Sequence, residues 1–213
     1  MIATRPASAP RQCHTPTSTG LSTFRRAAVR HPQRIGAISP SSTQLAALLA
    51  SVVPTAGEPV VIELGPGTGA VSSVITARLP HDARHLAVEL DPAMAAFLRH
   101  HHEGVEVINA DARDLRELLA EAQIVRVAAV VSGLPWSLFD SGSQERILQQ
   151  VADAIGPDGV FTTFAYAHAR ALPTARSFRR ALERTFDDVQ ISRIVWQNLP
   201  PAFSYICRRP RLP

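Results

Sequence analysis

The stretch VVIELGPGTGA at residues 60–70 contains a short apolar run with an acid near its end, followed by three glycines, Gly65, Gly67 and Gly69. Glycines in a turn after a strand permit positive φ and let the backbone come close to a ligand. Their GxGxG spacing differs from the GxGxxG spacing that is typical of dinucleotide-binding turns. A tight strand-to-helix turn without a ligand has the same composition, so the glycines alone are a weak signal.

Two acids follow at the ends of the next two apolar runs. Glu89 ends the run in AVELD, where a carboxylate can accept hydrogen bonds from both hydroxyls of a ribose. Asp111 follows the third run in NADARD, at the height where an adenine amino group would lie. Each acid alone also fits a helix cap or a surface charge. Their order, each at the end of its own strand, favours a binding site for an adenosine-like group.

Strands and helices must alternate to bring these residues to one edge. Strands are predicted at 60–64, 84–90, 105–109, 125–133 and 159–166, and helices at 69–80, 92–101, 112–122, 143–156 and 174–186. A strand hairpin with its turn at NLPP is predicted over 188–209. This order is typical of an α/β fold with a doubly wound, mostly parallel sheet. The closing hairpin adds an antiparallel strand at or near an edge.

Charge is distributed unevenly along the chain. All 22 basic residues are arginines, and six of them precede Glu58, which is the first acid. The positive excess therefore lies in the N-terminal quarter, where it indicates a membrane surface or a nucleic acid as partner, or only a solvated basic leader. Residues 1–20 are polar and read as a flexible tail with no secretory signal. Cys13 and Cys207 cannot form a disulfide framework, which favours a cytoplasmic setting.

These motifs resemble those of the class I S-adenosylmethionine-dependent methyltransferases. ELGPGTG is similar to their first motif, AVELD to the ribose-binding motif and NADARD to the adenine-binding motif. The resemblance covers residues 57–207 and implies a seven-stranded Rossmann-like sheet with a terminal hairpin. A nicotinamide dehydrogenase is disfavoured, because the GxGxxG spacing is absent. The cofactor-binding residues implied for S-adenosylmethionine are Glu63, Gly65, Gly67, Gly69, Glu89, Asp111, Ala112 and Ser132.

The stretch SGLPW follows the fourth strand, at the position that faces the sulfonium methyl in this fold. Amine-methylating members often carry Asn/Asp-Pro-Pro-aromatic or Asn-Leu-Pro-aromatic there. Carbonyl oxygens orient the substrate N–H groups, and an aromatic face can stabilise positive charge by about 0.5–2 kcal/mol. Gly133 stands where the amide would be, so only backbone carbonyls remain, in contrast to ribosomal RNA adenine dimethyltransferases. Trp136 is expected to make the cation–π contact or to pack as an ordinary core residue.

Two further stretches, RHPQRIGAISPSSTQLAALL at 30–49 and WQNLPPAFSY at 196–205, are similar, with SGLP, to the bacterial phospholipid N-methyltransferases. This resemblance implies stepwise methylation of phosphatidylethanolamine towards phosphatidylcholine by an enzyme that docks transiently on the bilayer. In that family a turn like NLPPA lies near the active site. The substrate-binding residues implied are Gly133, Leu134, Pro135, Trp136 and Asn198.

The N-terminal segment is the predicted membrane contact. On a helical wheel over residues 21–31, Phe24 lies on an apolar side and Arg26 and Arg30 lie opposite, with Arg25 near the border. An interfacial helix with arginines for anionic lipid has this pattern, and so does a lid over the cofactor. The membrane candidates are Phe24, Arg25, Arg26 and Arg30. We divide the chain into a tail (1–20), an N-terminal helical segment (21–56) and a catalytic domain (57–213).

A primary ammonium must lose a proton before its nitrogen can attack a methyl group. Tyr166, after the fifth strand, is the first candidate acceptor, ahead of His168 and Asp140. Alternatively, Tyr166 only lines the site, His168 lies on the surface, and Asp140 is the N-cap of a helix. The candidate catalytic residues are therefore Tyr166 and Trp136. The run His100–His102 lacks a partnering carboxylate pattern, and no metal site is predicted.

The function expected from these features is methyl transfer from S-adenosylmethionine to the head-group amine of a phospholipid, yielding S-adenosylhomocysteine. The enzyme would lie peripherally on the inner face of the cell membrane, without a stable nucleic-acid partner. The alternatives are a small-molecule amine or an RNA adenine as substrate. A non-catalytic binding protein is disfavoured, because both cofactor acids, Glu89 and Asp111, are retained. The sequence leaves the oligomeric state open.

Overall fold

The computed structural model of the protein describes residues 41–211. The predicted tail, the predicted helix at 21–31 and its candidate membrane residues Phe24, Arg25, Arg26 and Arg30 lie outside the described residues. The strands are β1 (Val60–Leu64), β2 (Arg84–Glu89), β3 (Glu106–Asn109), β4 (Ala129–Ser132), β5 (Val160–Tyr166), β6 (Phe186–Ile191) and β7 (Ala202–Pro210). The helices are α1 (Thr43–Leu49), α2 (Ala70–Arg78), α3 (Pro92–His101), α4 (Leu115–Glu121), α5 (Ser141–Ile155) and α6 (Pro173–Thr185).

The seven strands form one sheet in the order β3-β2-β1-β4-β5-β7-β6. Strands β1 to β5 are parallel to their neighbours, and β7 is antiparallel to both β5 and β6. The predicted doubly wound, mostly parallel sheet with an antiparallel hairpin is therefore confirmed. The strand order reverses between β1 and β4, and ligands in such sheets bind outside the carboxyl ends at this switch point. Both the glycine turn and the SGLPW stretch begin there.

Two boundaries near the C-terminus differ from the predicted ones. The helix predicted to 186 ends at Thr185, and Phe186 opens β6 instead. Phe186 is 1% exposed and its ring stacks on that of Phe161 with centroids 5.9 Å apart, so core packing outweighs the helical pattern. Beyond Ile191 the predicted strand gives way to an irregular segment, from which Val195 forms an isolated bridge with Ala202.

Helix α1 belongs to the core on one side of the sheet. Its residues Leu45 and Leu49 are buried in a cluster that includes Val61 and Ile75. The Thr162 hydroxyl on β5 donates a hydrogen bond to the Leu49 carbonyl at 3.0 Å, which fixes the end of α1 on the sheet. Thus the described part of the segment 21–56 packs directly against the catalytic fold. Within residues 41–211, no helix is both long and apolar enough to cross a membrane.

Aromatic side chains fill the core on the other side. The indole of Trp136 stacks on Phe178 of α6 with ring centroids 4.7 Å apart. Its Nε1–H donates a hydrogen bond of 2.8 Å to the Thr163 hydroxyl, which itself donates to the Ser132 carbonyl at 3.2 Å. All three polar groups are therefore satisfied away from water. The loop after β4 is tied to β5 through this chain of bonds.

Replacing Thr163 with valine keeps the side-chain shape and removes both hydrogen bonds. We expect the free energy of unfolding to fall by about 1–3 kcal/mol, because the buried indole N–H is left without an acceptor. Urea denaturation of the variant and the wild type measures this change. Thr174→Val, at an exposed position of α6, is the matched control and should change little. Equal losses in the two variants would contradict the structural role of the Trp136–Thr163 bond.

Candidate cofactor and substrate site

The glycine turn between β1 and α2 depends on left-handed backbone at three positions. Gly65, Gly67 and Gly69 have φ of 68°, 59° and 83°. A Cβ at Gly67 would meet nothing within 4 Å, so this residue borders open space. A Cβ at Gly69 would overlap the imidazole of His102. The turn therefore has one open position flanked by two that pack closely against other parts of the protein.

The carboxylate of Glu89 holds this turn from the end of β2. Glu89 is fully buried, and its Oε2 accepts a hydrogen bond of 3.1 Å from the Gly67 N–H. Its Oε1 accepts one of 2.9 Å from the Asp91 N–H. Asn109 of β3 donates to the Glu89 carbonyl at 2.8 Å. The two bonds to the carboxylate fix the side chain of Glu89 beside the glycine turn, at the end of β2.

Asp111 lies at the end of β3 and is paired with Arg113. The Arg113 guanidinium donates to both carboxylate oxygens, with an Nη2–Oδ2 distance of 2.6 Å. Burial would raise the pKa of Asp111, but the hydrogen bonds and charge of Arg113 outweigh it, so this pKa lies below its ordinary value. Asp111 therefore carries a negative charge at neutral pH. Sequence reasoning did not name Arg113, although a basic residue two positions after a motif acid is a readable signal.

A cleft runs from Asp111 to the loop after β4. It is lined by Val88, Leu90, Ala110, Asp111, Ala112, Leu134, Pro135 and Phe139. Its walls are mostly apolar, with one carboxylate, which is the chemistry that an adenine ring needs. The structure thus brings Ala112 and Asp111 together with Leu134 and Pro135, which the sequence had assigned to the substrate. Leu90 and Phe139 were not predicted: Leu90 lies within AVELD, where only the acid was singled out, and Phe139 lies three residues beyond SGLPW.

The loop after β4 packs directly against the glycine turn. The Gly133 N–H donates to the Leu64 carbonyl at 2.8 Å, and a Cβ at Gly133 would lie 2.7 Å from the Gly65 carbonyl oxygen. A Cβ at Gly65 would in turn lie 2.8 Å from Cδ2 of Leu134. In this structure the position of Gly133 therefore leaves no room for a Cβ. A side chain at residue 133 would push the two loops apart.

Glu63 was predicted to contact the cofactor, and the structure places its carboxylate beneath the turn. Glu63 and His85 are each 1% exposed, and their side chains lie 3.2 Å apart, Oε2 to Nε2. The Ser72 hydroxyl of α2 donates to the same Glu63 oxygen at 2.7 Å. These bonds join β1, β2 and the first turn of α2. The arrangement suits an acid that positions the glycine turn from within the protein.

The remaining predicted residues are Ser132, Trp136, Tyr166 and Asp140. The Ser132 hydroxyl accepts a hydrogen bond from the Leu134 N–H, and Trp136 is only 3% exposed, within the aromatic core. Tyr166 ends β5, where its ring lies 5.7 Å from that of His168, centroid to centroid. Asp140 caps α5 by accepting from the N–H and hydroxyl of Ser143. The structure thus brings Tyr166 to the carboxyl edge of the sheet and leaves the Trp136 indole inside.

Asn198 joins the β6–β7 connection to the segment that precedes α1. Its Oδ1 accepts a hydrogen bond of 2.9 Å from the Ser42 N–H, and its Nδ2 donates to the Pro200 carbonyl at 2.7 Å. Asn198 is 4% exposed. Its side chain therefore fixes the local path of two chain segments at the carboxyl edge. The described residues contain no group of three or more His, Cys, Asp or Glu side chains arranged to hold a metal ion.

The sheet order, the glycine turn after β1 and the acids that end β2 and β3 are those of a class I S-adenosylmethionine-dependent methyltransferase. Residues 61–159 match a family described as a methyltransferase domain. An ornithine lipid N-methyltransferase from Singulisphaera acidiphila is 32% identical over 182 residues, which cover 84% of this chain and 91% of that protein. The chain belongs to this family of S-adenosylmethionine-dependent methyltransferases. The expectation of an N-methyltransferase is confirmed at this level.

Two further comparisons agree with this assignment. Ribosomal RNA small subunit methyltransferase A from Chlorobium phaeobacteroides is 35% identical over 80 residues, which cover 37% of this chain and 28% of that protein. The crystal structure of human methyltransferase-like protein 13 in complex with S-adenosylhomocysteine superposes with a TM-score of 0.58 at 19% identity. That match covers 78% of this chain and 79% of the other, and it shows the shared fold.

Gly133→Ala tests the packing of the two loops. The added Cβ must displace the Gly65 carbonyl, so we expect the affinity for S-adenosylhomocysteine to fall about tenfold or more and the free energy of unfolding to fall by about 1–3 kcal/mol. Calorimetry and urea denaturation measure the two effects. Gly142→Ala, at an exposed position in the first turn of α5, is the matched control. Wild-type affinity in Gly133→Ala would show that the loops tolerate separation.

Proposed function

We propose that the protein transfers a methyl group from S-adenosylmethionine to the head-group amine of a membrane aminolipid. Phosphatidylethanolamine and its methylated intermediates are the first substrate class, and an ornithine lipid is the nearest alternative. The observation that carries this proposal is the match to an ornithine lipid N-methyltransferase over 84% of the chain. The SGLP loop supports it, because Leu134 and Pro135 line the cleft and Gly133 before them has no side-chain amide, so that a backbone carbonyl is the acceptor available there.

The residues around the glycine turn fit S-adenosylmethionine. In the proposed complex the Glu89 carboxylate accepts hydrogen bonds from the ribose hydroxyls, and the apolar cleft beside Asp111 holds the adenine. The open space at Gly67 lets the turn come close to the cofactor. The cofactor supplies a methyl group that is already activated on a sulfonium. The protein's own contribution is therefore positioning and exclusion of water.

The loop after β4 is the proposed site of the reacting nitrogen. The carbonyls of Leu134, Pro135 and Trp136 accept backbone hydrogen bonds within the loop, and that of Gly133 accepts none from the described residues. We assign the Gly133 carbonyl as acceptor for a substrate N–H. This contact directs the nitrogen lone pair towards the methyl group. The buried Trp136 shapes the loop that presents this carbonyl, and its proposed cation–π contact would require the ring to gain access to the cleft.

Tyr166 is the proposed route for the proton that the ammonium loses. It lies at the carboxyl end of β5 and is half-buried, with Phe164 packed edge-to-face at 5.4 Å between ring centroids. Tyr166→Phe removes only the hydroxyl, which would take the ammonium proton while passing its own proton on to water. Turnover should therefore fall at neutral pH and approach that of the wild type towards about pH 10, where the substrate amine is already neutral. The pH profile of methyl transfer measures this effect. Full turnover across the pH range would exclude Tyr166 as proton acceptor and leave it only a residue that lines the site.

The central experiment uses purified protein and S-adenosylmethionine labelled on its methyl group. Separate tubes contain vesicles with phosphatidylethanolamine, vesicles with ornithine lipid, bulk RNA, and a mixture of soluble amines. Label in a lipid extract is the expected result, and chromatography identifies the lipid and counts its methyl groups. Glu89→Ala should lose the label, because it removes the buried carboxylate that holds the Gly67 N–H. Label only in RNA or in soluble amines would overturn the proposal.

RNA adenine is the second candidate, since the chain matches a ribosomal RNA methyltransferase over 80 residues. That match covers 37% of the chain, against 84% for the lipid enzyme. The polar side chain that related RNA enzymes place beside the base is glycine here. An aminolipid substrate also implies that the enzyme works at a membrane surface, and we place it peripherally on the inner face of the cell membrane.

A further inference from the structure

Two large apolar side chains stand out from the connection between β6 and β7. Trp196 is 70% exposed and Leu199 is 73% exposed, and we call residues 196–199 the hairpin tip. Asn198 between them is buried, so the backbone of the tip is fixed while the two apolar side chains remain in water. Leu172, after β5, is also 51% exposed. An exposed tryptophan on an anchored loop is typical of a surface that meets a partner.

The hairpin tip lies at the edge of the sheet that carries the site. Ala202, the first residue of β7, pairs with Tyr166, the last residue of β5. The Ala167 N–H donates to the Pro201 carbonyl at 2.8 Å, which joins the tip to the turn that follows Tyr166. The exposed apolar side chains therefore lie beside the proposed route of the substrate amine.

The chain around this edge carries positive charge only. Residues 159–182 and 189–211 contain no acid. Arg170 and Arg193 are exposed, and the Arg170 guanidinium lies 5.9 Å from the ring centroid of Phe203. Exposed arginines in the same two chain segments as an exposed tryptophan and leucines match a bilayer interface, where anionic head groups lie above the acyl chains.

The N-terminal part of the chain joins the described structure at the same place. The Ser42 N–H bonds to Asn198 within the hairpin tip. The 40 residues before Ser41 contain six arginines and no acid. The described structure therefore begins, at Ser41 and Ser42, against the hairpin tip.

We propose that the hairpin tip docks on an anionic phospholipid bilayer and sets the mouth of the site at the lipid interface. Trp196 and Leu199 enter the interfacial region, and Arg170 and Arg193 contact lipid phosphates. The purpose of this contact rests on the proposed function, since the contact would deliver an aminolipid substrate. The membrane contact itself lies at residues 196–199. Substrate head groups then reach the cleft without leaving the bilayer.

The test uses the intact chain and vesicles of phosphatidylcholine and phosphatidylglycerol, which hold no primary amine and so probe docking apart from catalysis. The chain has two tryptophans, and Trp136 is buried. We expect the emission of Trp196 to shift to shorter wavelength on binding and to be quenched by brominated lipid chains. Trp196→Phe should lose both signals. Trp196→Ser/Leu199→Ser should weaken vesicle binding about tenfold or more.

Val125→Ser is the matched control, because Val125 is 98% exposed and precedes β4 at the opposite edge of the sheet. It should bind vesicles as the wild type does. The double variant should also methylate lipid in vesicles more slowly while retaining turnover of a monomeric short-chain aminolipid. Docking without lipid methylation by the wild type would contradict the proposed function and leave the docking surface standing.

Three results would overturn the docking surface. The first is an unshifted, unquenched Trp196 signal in the presence of vesicles that bind the wild type. The second is a shift with RNA and none with vesicles, which would make the tip a nucleic-acid contact. The third is altered sedimentation of the double variant in the absence of lipid, with vesicle binding unchanged, which would make the tip a contact between two copies of the chain.

Discussion

The close approach of two backbone loops is the constraint on which the site depends. Adjacent parallel strands lie about 4.8 Å apart, so the turns that leave β1 and β4 must pass each other at the carboxyl edge. The structure meets this constraint with glycine on both sides, since a Cβ at Gly133 would lie 2.7 Å from the Gly65 carbonyl oxygen. Leu134 then packs on Gly65 and closes one end of the apolar cleft. The glycine turn and the loop after β4 are consequently a single packed unit.

Other buried interactions hold that unit from both sides. Beneath the glycine turn, Glu63, Ser72 and His85 join two strands to α2, and from the end of β2 the Glu89 carboxylate binds the Gly67 N–H. On the far side, Trp136 is fixed by Thr163 and Phe178. Buried polar groups with satisfied partners are costly to separate, so they specify one loop geometry. The core thereby positions both the glycine turn and the loop after β4.

The strand order and the cofactor motifs could be predicted because their signals are local. Short apolar runs end in glycines or acids, and Glu89 and Asp111 do lie at the carboxyl edge. The roles of Trp136, Asn198 and Glu63 depend on contacts between distant residues. Trp136 needs Phe178, and Asn198 bonds to Ser42, which is 156 positions away. The start of β6 was likewise decided by the burial of Phe186, which a helical pattern cannot reveal.

The central claim is that this methyltransferase acts on the amine of a membrane lipid. Its most direct test is mass spectrometry of total lipid from a host that makes phosphatidylethanolamine and ornithine lipid and expresses the intact protein. We expect new species that carry one or more added methyl groups on the head-group amine of one of these lipids. Those species should be absent when the host expresses Glu89→Ala at equal abundance. An unchanged lipid profile, with methylation found in RNA or soluble amines instead, would contradict the account.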